Sequence, residues 1–345
     1  MRLTDVAFGA LIISVLAVNV AISQAPSRAA TAAETTAHQV KSLHITILST
    51  MLADEGIGEW GFAALIDADG RRILYDTGNR PETVLANARE LGIDLSTVTD
   101  VVLSHHHGDH TGGLLTLRRE LSKVNPAALS RVHVAPGILL SRRGPAAVVG
   151  QIERMPAGSD QEANPFIAMK PSIEATGAVI VEHAKPTELM PGVWLTGPIP
   201  RHSPERNWST GISLVTAGGL VADSVPEDMA LIINTEKGLI VVTGCGHAGI
   251  VNIVAYAREF VAPNPAYAVV GGLHLFRATD ETLAWTAERL HAAGLTFLLG
   301  AHCTGIEAVF RIRQLAGLGR GSAVVAAVGS SFDLARGIDP LALAQ

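Results

Sequence analysis

The chain has 345 residues, of which 48% are hydrophobic and 17% are charged. This balance is typical of a globular protein with an ample core and argues against a disordered chain. The formal net charge is −6 and the sequence has no run or stripe of Lys and Arg, so we expect no nucleic-acid partner.

The N-terminus has the pattern of a secretory signal peptide. Met1-Arg2 precedes an apolar stretch over residues 7–22, which small residues follow. The stretch is short for a membrane span and contains Asn19, although an uncleaved anchor is the alternative. Cleavage is expected after Ala25 or Ala32. We therefore predict a periplasmic or secreted protein that has no stable membrane association once the signal is removed.

The predicted organisation is a signal peptide (1–32), a disordered linker (33–42) and a single domain (43–345) with a substrate-facing insertion around 135–210. In the first part of the domain, alternation predicts a strand over Leu43–Ser49. Asp69-Gly70 predicts a tight hairpin, and Pro81 precedes a helical pattern.

The middle of the chain is less regular. Strands are predicted over 132–135, 178–182 and 192–196, a helix over 138–152 and a loop over 158–172. After it, strands and helices alternate: strands over 229–234, 238–243, 266–274 and 296–302, and helices over 250–260, 281–292 and 306–315.

A histidine-rich loop follows the predicted strand at Val101–Leu103. His105 and His107 are two residues apart and project to the same side if strand geometry persists, and Asp109 and His110 come next. Imidazole and carboxylate groups suit zinc and other borderline divalent metals. A solvated histidine-rich loop is the alternative, but the preceding strand and the following Gly pair favour a metal site.

Three later strands each end at a histidine. His247, His274 and His302 follow apolar runs, and each precedes a helical pattern. Histidine is fully buried less often than apolar residues, so packing alone does not readily explain a histidine at the end of three successive strands.

The segment His105-His-His-Gly-Asp-His110 resembles the His-x-His-x-Asp-His signature of the metallo-β-lactamase fold superfamily. Gly244-Cys-Gly-His247, Gly271-Gly-Leu-His274 and His302-Cys-Thr-Gly305 resemble its dihydropterin-methyl-ribofuranosylaminobenzene phosphate synthase-like branch. The likeness covers roughly residues 43–335. It implies an α/β fold, an αββα sandwich of two mixed β-sheets flanked by helices.

The resemblance also implies a dinuclear metal centre. The first metal would be held by His105, His107 and His247, and the second by Asp109, His110 and His302. Two divalent ions are expected, Zn²⁺ first with Mn or Fe as alternatives, and the chemistry expected of them is hydrolysis. Asp76, in Asp-Thr-Gly, would support the histidine loop from beneath, with an ordinary strand-end turn as the alternative.

The sequence departs from the family pattern at Gly271-Gly-Leu-His274, where most members place a bridging Asp. His274 would be a ligand, a substrate contact or a core residue, and Asp109 would be the one ligand carboxylate. Such a centre keeps more positive charge and should either favour an anionic substrate, such as a phosphoester or carboxylate, or bind the second metal ion weakly. We predict Asp109 and His274 as the catalytic residues.

Two further groups are candidates for supporting roles. Cys245 and Cys303 each neighbour a predicted ligand and are expected beneath the site, as free thiols or as an oxidised pair. Arg201, His202 and Arg206 would bind a substrate anion, with solvated surface charge as the alternative.

The predicted function is thus an exported metal-dependent hydrolase of a small anionic ester or phosphoester. The alternatives are a synthase-like transferase of pterin biosynthesis, a β-lactam or lactone hydrolase, and a non-catalytic metal-binding module.

Overall fold

The computed structural model describes residues 38–144, 161–208 and 211–342. The predicted signal peptide lies outside these residues, as does the linker up to residue 37. Within the described ranges, no helix is long and apolar enough to cross a membrane.

The strands and helices alternate along much of the chain. In chain order the strands are β1 (Leu43–Ser49), β2 (Ala63–Ala68), β3 (Arg71–Tyr75), β4 (Asp100–Val102), β5 (Arg131–Val134), β6 (Arg142–Gly144), β7 (Gln161–Glu162), β8 (Val179–Glu182), β9 (Thr187–Met190), β10 (Val193–Leu195), β11 (Ser213–Thr216), β12 (Gly219–Ala222), β13 (Leu231–Thr235), β14 (Gly238–Thr243), β15 (Ala266–Gly271), β16 (Phe297–Gly300), β17 (Ala323–Val325), β18 (Ser331–Asp333) and β19 (Gly337–Asp339). The helices are α1 (Thr83–Glu90), α2 (Gly108–Thr111), α3 (Leu114–Leu121), α4 (Pro165–Glu174), α5 (Ile250–Phe260), α6 (Asp280–Ala292) and α7 (Ile306–Leu315).

Two large mixed sheets face each other. The first has the strand order β19-β18-β1-β2-β3-β4-β5-β8, and the second has the order β17-β16-β15-β14-β13-β10-β9. The strands from β3 through β4 and β5 to β8 are parallel, and so are those from β14 through β15 and β16 to β17. A smaller antiparallel sheet has the order β12-β11-β6-β7.

Side chains on the two faces of each strand pack against different layers of the sandwich. In β14, Ile240 and Val242 face the core between the two large sheets, whereas Leu239 and Val241 belong to the cluster that packs against α5, α6 and α7. In β3, Ile73 faces the same central core. Its neighbour Leu74 joins the cluster that includes residues of α1, α3 and α4. Because side chains of a strand point alternately to its two faces, each sheet is covered on both sides. The αββα sandwich is therefore confirmed.

The hairpin between β2 and β3 is also as predicted. Asp69 and Gly70 have φ angles of 51° and 77°. Positive φ at both central residues is what a two-residue turn of the tight hairpin type requires, and Asp-Gly adopts it at low cost.

The middle of the chain differs from the prediction. Residues 142–144 form β6, so the helix predicted over 138–152 was wrong there, and its remainder lies outside the described residues. The loop predicted over 158–172 was wrong because α4 begins at Pro165. The Asn164 side chain accepts a hydrogen bond from Phe166 N and caps this helix, and Pro at the first position is compatible with it.

The boundaries of the domain also differ. Val40 is buried, and its N–H donates to the Asn234 carbonyl, so a disordered linker reaching residue 42 was wrong at this position. Within the predicted insertion around 135–210, β8, β9 and β10 belong to the two large sheets. The part that stands apart from these sheets is the small sheet that contains β6, β7, β11 and β12.

Candidate metal centre

The predicted ligands lie at one edge of the sandwich, where parallel strands end. His105 follows β4 of the first sheet, whereas His247 and His302 follow β14 and β16 of the second. Since carboxyl ends of parallel strands share an edge, side chains far apart in sequence converge there.

The convergent side chains form two sets of possible metal ligands. Nitrogen atoms of His105, His107 and His247 lie within 4.8 Å of one another, and ligand atoms of Asp109, His110 and His302 do the same. The sets adjoin, because the ring centroids of His105 and His110 are 4.2 Å apart. The structure therefore brings together the two triplets that the sequence predicted.

Several ring nitrogens in these sets are buried without a hydrogen-bond partner. Among the residues that the structure describes, they are His247 Nε2 and both ring nitrogens of His302; His302 Nε2 lies 3.3 Å from Asp109 Oδ2 but without hydrogen-bond geometry. An unsatisfied buried polar atom costs free energy, so a cluster of them at the meeting point of histidine and carboxylate ligands fits a divalent cation.

Hydrogen bonds on the far side of two rings fix their tautomers. The His247 Nδ1 lies at the Asn207 carbonyl, which can only accept, so this nitrogen is the donor. The Ser104 hydroxyl donates to Asp76 Oδ2 and must therefore accept from His105 Nδ1, 2.8 Å away. In both rings Nε2 is then the nitrogen that carries the lone pair, as is usual for histidine ligands. The Nε2 of His105 lies 2.9 Å from His107 Nδ1, a member of the same ligand set.

Asp76 holds the histidine loop from below. Its Oδ1 accepts from Ser104 N at 2.7 Å, and its Oδ2 accepts from His110 Nδ1 at 2.7 Å. The side chain is fully buried and the backbone is left-handed, with φ 58°. Asp76 thus contacts one predicted ligand, His110, and the residue before His105 without belonging to either set, the position expected of a supporting carboxylate.

The protonation states also suit cation binding. Burial lowers the pKa of His105, His107 and His247, and neighbouring imidazoles lower it further; for His107 it falls to about 3. Burial alone would raise the pKa of Asp109, but His110 and His302 hold it well below its usual range. The three rings are therefore neutral and the carboxyl group is ionised near neutral pH.

His110 behaves differently. Burial would lower its pKa, but the carboxylates of Asp76 and Asp109 outweigh this effect and raise the pKa to about 9. A metal ion that binds the second set must therefore displace a proton from this ring.

His274 and the two cysteines lie beside the two sets. The ring centroids of His274 and His247 are 4.6 Å apart, and His274 Nδ1 is buried without a hydrogen-bond partner. Cys245 and Cys303 are both buried and carry free thiols, so they do not form the oxidised pair. The His274 backbone N–H donates to Cys303 Sγ at 3.3 Å.

A cavity of about 750 Å³ opens next to the ligands. Its lining includes His274, the aromatic side chains Phe276, Trp208 and Trp285, and the cationic Arg206 and Arg277. Glu205 also lines it but turns towards the start of α5, where it accepts hydrogen bonds from Val251 N and Asn252 N. Burial raises the pKa of Glu205 to about 7, which reduces its negative charge near neutral pH.

The structure separates the three residues predicted to bind a substrate anion. Arg206 lines the cavity, but Arg201 and His202 do not. The Arg201 guanidinium donates to the Val225 carbonyl at 2.9 Å and lies over the Trp208 ring. His202 is exposed. Of the three, the structure places Arg206 at this cavity, whereas the Arg201 side chain is turned towards the protein interior.

A buried ionic network behind the histidine loop was missed by the sequence analysis. His106 Nδ1 lies 2.6 Å from Glu227 Oε1, and the other oxygen of Glu227 accepts from Arg142 at 2.7 Å. Arg142 also donates to Asp223 Oδ2 at 2.7 Å. The one sequence signal was the charged pair Glu227-Asp228 directly before an apolar strand; its partners are too distant in sequence to be inferred.

Comparisons with known proteins agree with this geometry. The model of the metallo-beta-lactamase superfamily matches residues 61–262. The chain is 33% identical, over 72% of its length and 82% of the relative's, to the 7,8-dihydropterin-6-methyl-4-(beta-D-ribofuranosyl)-aminobenzene-5'-phosphate synthase of Methanocaldococcus jannaschii. A hydroxyacylglutathione hydrolase of Xanthomonas euvesicatoria pv. vesicatoria is 50% identical, but over only 16% of this chain and 20% of the relative.

Among solved structures, Tm1679, described as a metal-dependent hydrolase of the beta-lactamase superfamily, has a TM-score of 0.65 and 25% identity. The match covers 84% of this chain and 98% of that protein. The sandwich, the convergent histidines and the match over more than half of the sequence lead to one conclusion. This chain belongs to the metallo-β-lactamase superfamily, a superfamily of metal-dependent hydrolases.

Proposed function

We propose that this protein is a dinuclear metal-dependent hydrolase that acts on a small anionic ester or phosphoester outside the cytoplasm. The observation that carries the proposal is the pair of adjoining ligand sets, in which His247 Nε2 and His302 Nδ1 are buried without hydrogen-bond partners among the described residues. Three protein ligands in each set leave room for water and substrate at each metal ion, as catalytic sites require. Zn²⁺ suits these ligands best, and Mn²⁺ or Fe²⁺ are alternatives.

The roles of the side chains follow from their positions. Bound divalent ions would acidify water and polarise the oxygen under attack. His105, His107 and His247 would hold one ion, and Asp109 and His110 would hold the other together with His302. Asp76 keeps the His110 ring in place through its 2.7 Å hydrogen bond, so that its Nε2 stays directed at the cation.

His274 lies where the ligand sets meet the cavity. Its ring lines the cavity and its Nδ1 is buried without a partner. We assign it to contact with the substrate, because a buried nitrogen without a partner beside a cavity can hydrogen-bond to a polar group that enters. With a backbone φ of 50°, His274 holds a conformation unusual for a non-glycine residue.

The cavity supports a substrate that carries an anion and an apolar part. Arg206 offers a guanidinium group, which suits phosphate and carboxylate groups. Arg277 and Glu281 also line the cavity, and the Arg277 guanidinium lies 5.2 Å from the centre of the Phe276 ring. Phe276 and the two tryptophans offer flat apolar surfaces, which suit a ring or an acyl chain. Two divalent ions would add to the attraction of the site for anions.

A substrate panel tests the reaction. We expect the purified protein to hydrolyse p-nitrophenyl phosphate or its diester faster than neutral p-nitrophenyl acetate, with activity lost on chelation and restored by Zn²⁺ or Mn²⁺. Arg206→Gln should raise KM for the anionic ester about tenfold with little change in kcat, since a charge-assisted hydrogen bond of about 1.5 kcal/mol is lost. Arg119→Gln, at an exposed position that does not line the cavity, is the control.

Two results would contradict the proposal. The first is that the metal-loaded protein hydrolyses none of the phosphoesters, esters, lactones and cephalosporins tested. That result would favour a transfer reaction or a non-catalytic metal-binding role. A preference for neutral esters that Arg206→Gln leaves unchanged would instead contradict the anionic substrate.

Export is a separate part of the proposal and rests on the pattern of residues 1–32. In cells that produce the full chain, we expect the mature protein in the periplasm or medium, with an N-terminus after Ala25 or Ala32. N-terminal mass spectrometry of the fractionated protein measures both. A chain that starts at Met1 and stays in the cytoplasm would contradict export.

A further inference from the structure

The thiol of Cys245 lies between the two ligand sets. Its Sγ is 3.1 Å from His110 Nε2 of the second set. It also falls within 4.8 Å of ligand atoms of His105 and His247 on one side, and of His302 on the other. The sulfur therefore reaches members of both sets.

These separations fit donors that share a metal ion. In tetrahedral zinc, nitrogen lies at about 2.0 Å and sulfur at about 2.3 Å from the metal, so the two donors are roughly 3.5 Å apart. The 3.1 Å between Cys245 Sγ and His110 Nε2 is close to this spacing. Thiolate sulfur is in addition a strong ligand for zinc.

The charge of the site also favours Cys245 as a metal ligand. Within the described ligand groups, Asp109 is the only carboxylate, and the remaining members are histidines and cysteines. Two buried divalent cations are poorly balanced by one carboxylate, because a desolvated charge is costly without a counter-charge. A thiolate beside both cations supplies a second negative charge and leaves the centre positive enough to attract an anion.

The backbone keeps Cys245 in this place. A Cβ atom at Gly244 would collide with the Ser104 hydroxyl and the Asp76 carboxylate. The loop after β14 therefore packs directly on the groups that orient the histidine loop, and only glycine allows that approach. Cys245, the next residue, is 2% exposed.

The second cysteine is a matched comparison. Cys303 is 1% exposed, and its Sγ accepts from His274 N and lies 3.8 Å from the Cys245 carbonyl. Among the described groups of possible ligands, Cys303 Sγ occurs in one only, together with Cys245 and His302. It therefore reaches the second ligand set but not the first. Cys303 thus resembles Cys245 in type and burial but not in its position between the sets.

We propose that Cys245 is a metal ligand shared by both ions, which binds as a thiolate, gives the centre its second anionic ligand and leaves water and substrate to enter as a fifth donor. The S–H bond breaks, the proton passes to solvent, and sulfur–metal bonds form without any oxidation. The inference rests on the proposed dinuclear centre, and the test separates the two.

Cobalt substitution of the full chain is the first test. We expect Co²⁺-loaded protein to show visible d–d bands together with a near-ultraviolet sulfur-to-cobalt charge-transfer band. Cys245→Ser should lose the charge-transfer band and keep the visible bands, whereas Cys303→Ser should keep both. A charge-transfer band that persists in Cys245→Ser, or visible bands without it in the parent protein, would overturn the assignment while leaving the dinuclear centre intact. Failure of the parent protein to bind Co²⁺ or Zn²⁺ at all would overturn both proposals.

Zinc X-ray absorption gives a readout that needs no change at Cys245. In Cys303→Ser loaded with two Zn²⁺, a shared thiolate predicts about one sulfur per zinc at about 2.3 Å. About half a sulfur per zinc would mean a ligand of one ion only, and no sulfur would mean no ligand; either value contradicts the shared role.

Discussion

Asp109→Asn is expected to lower kcat/KM for an anionic phosphoester by about 10³-fold and to release the second metal ion. Asp109 is the carboxylate of the second ligand set, with Oδ2 3.3 Å from His302 Nε2 and Oδ1 3.8 Å from His110 Nε2. An amide keeps the size but loses the charge that balances the cation. The lost electrostatic stabilisation of the transition state amounts to several kcal/mol, and about 4 kcal/mol corresponds to the stated factor.

Metal content and steady-state kinetics measure the two effects together. Elemental analysis should show the metal content falling from two ions per chain towards one. Asp94→Asn is the control, because this aspartate is exposed and its Oδ1 accepts from Ser96 N. Unaltered metal content with near-parental activity in Asp109→Asn would show that the second set does not work as proposed.

Arg142→Met is expected to destabilise the fold more than any surface change. The Arg142 side chain is 0% exposed and forms 2.7 Å ion pairs with Asp223 and Glu227. Without the guanidinium, two buried carboxylates lose their counter-charge. Breaking a buried pair in this way costs about 3–5 kcal/mol. For a domain of this size, that corresponds to a fall in Tm of roughly 5–8 °C.

Thermal unfolding of the variant and its neighbour measures the effect. Arg143 is the matched control, since its side chain is 39% exposed and lies 3.7 Å from Glu162. Arg143→Met should change the unfolding free energy by less than about 1 kcal/mol, because surface pairs contribute little. Equal shifts in both variants would mean that the buried network does not stabilise the protein. Because Glu227 also contacts His106, Arg142→Met should weaken metal binding as well.

The sequence predicted the centre because its signals are local. The pattern of an apolar strand followed by a histidine, at His247 and His302, indicated candidate ligands, and the resemblance supplied their grouping into two sets. Alternation likewise predicted β1 with its observed bounds, and Asp69-Gly70 predicted the hairpin that joins β2 and β3. Such features depend on neighbours in the sequence.

The features that were missed depend on distant partners or on competing local signals. Arg142 and Glu227 are 85 residues apart, and nothing in either segment indicates their pairing. Arginine is a common residue in anion-binding sites, which is why Arg201 was a candidate. Its guanidinium is instead partly buried near the carboxylates of Asp228, Glu227 and Asp223. The helix α4 was hidden by its prolines, although Asn164-Pro165 is a helix start in its own right.

Because the candidate ligands come from both sheets, the order in which the chain is synthesised and folds affects when the site is complete. Residues 105–110 emerge from the ribosome more than a hundred residues before residue 247, so the early half of the chain holds an incomplete site. Each ligand set is complete only after the second sheet has docked on the first, because His247 and His302 follow strands of the second sheet. A metal ion bound to either set would therefore link the two sheets, and its binding free energy would oppose their separation.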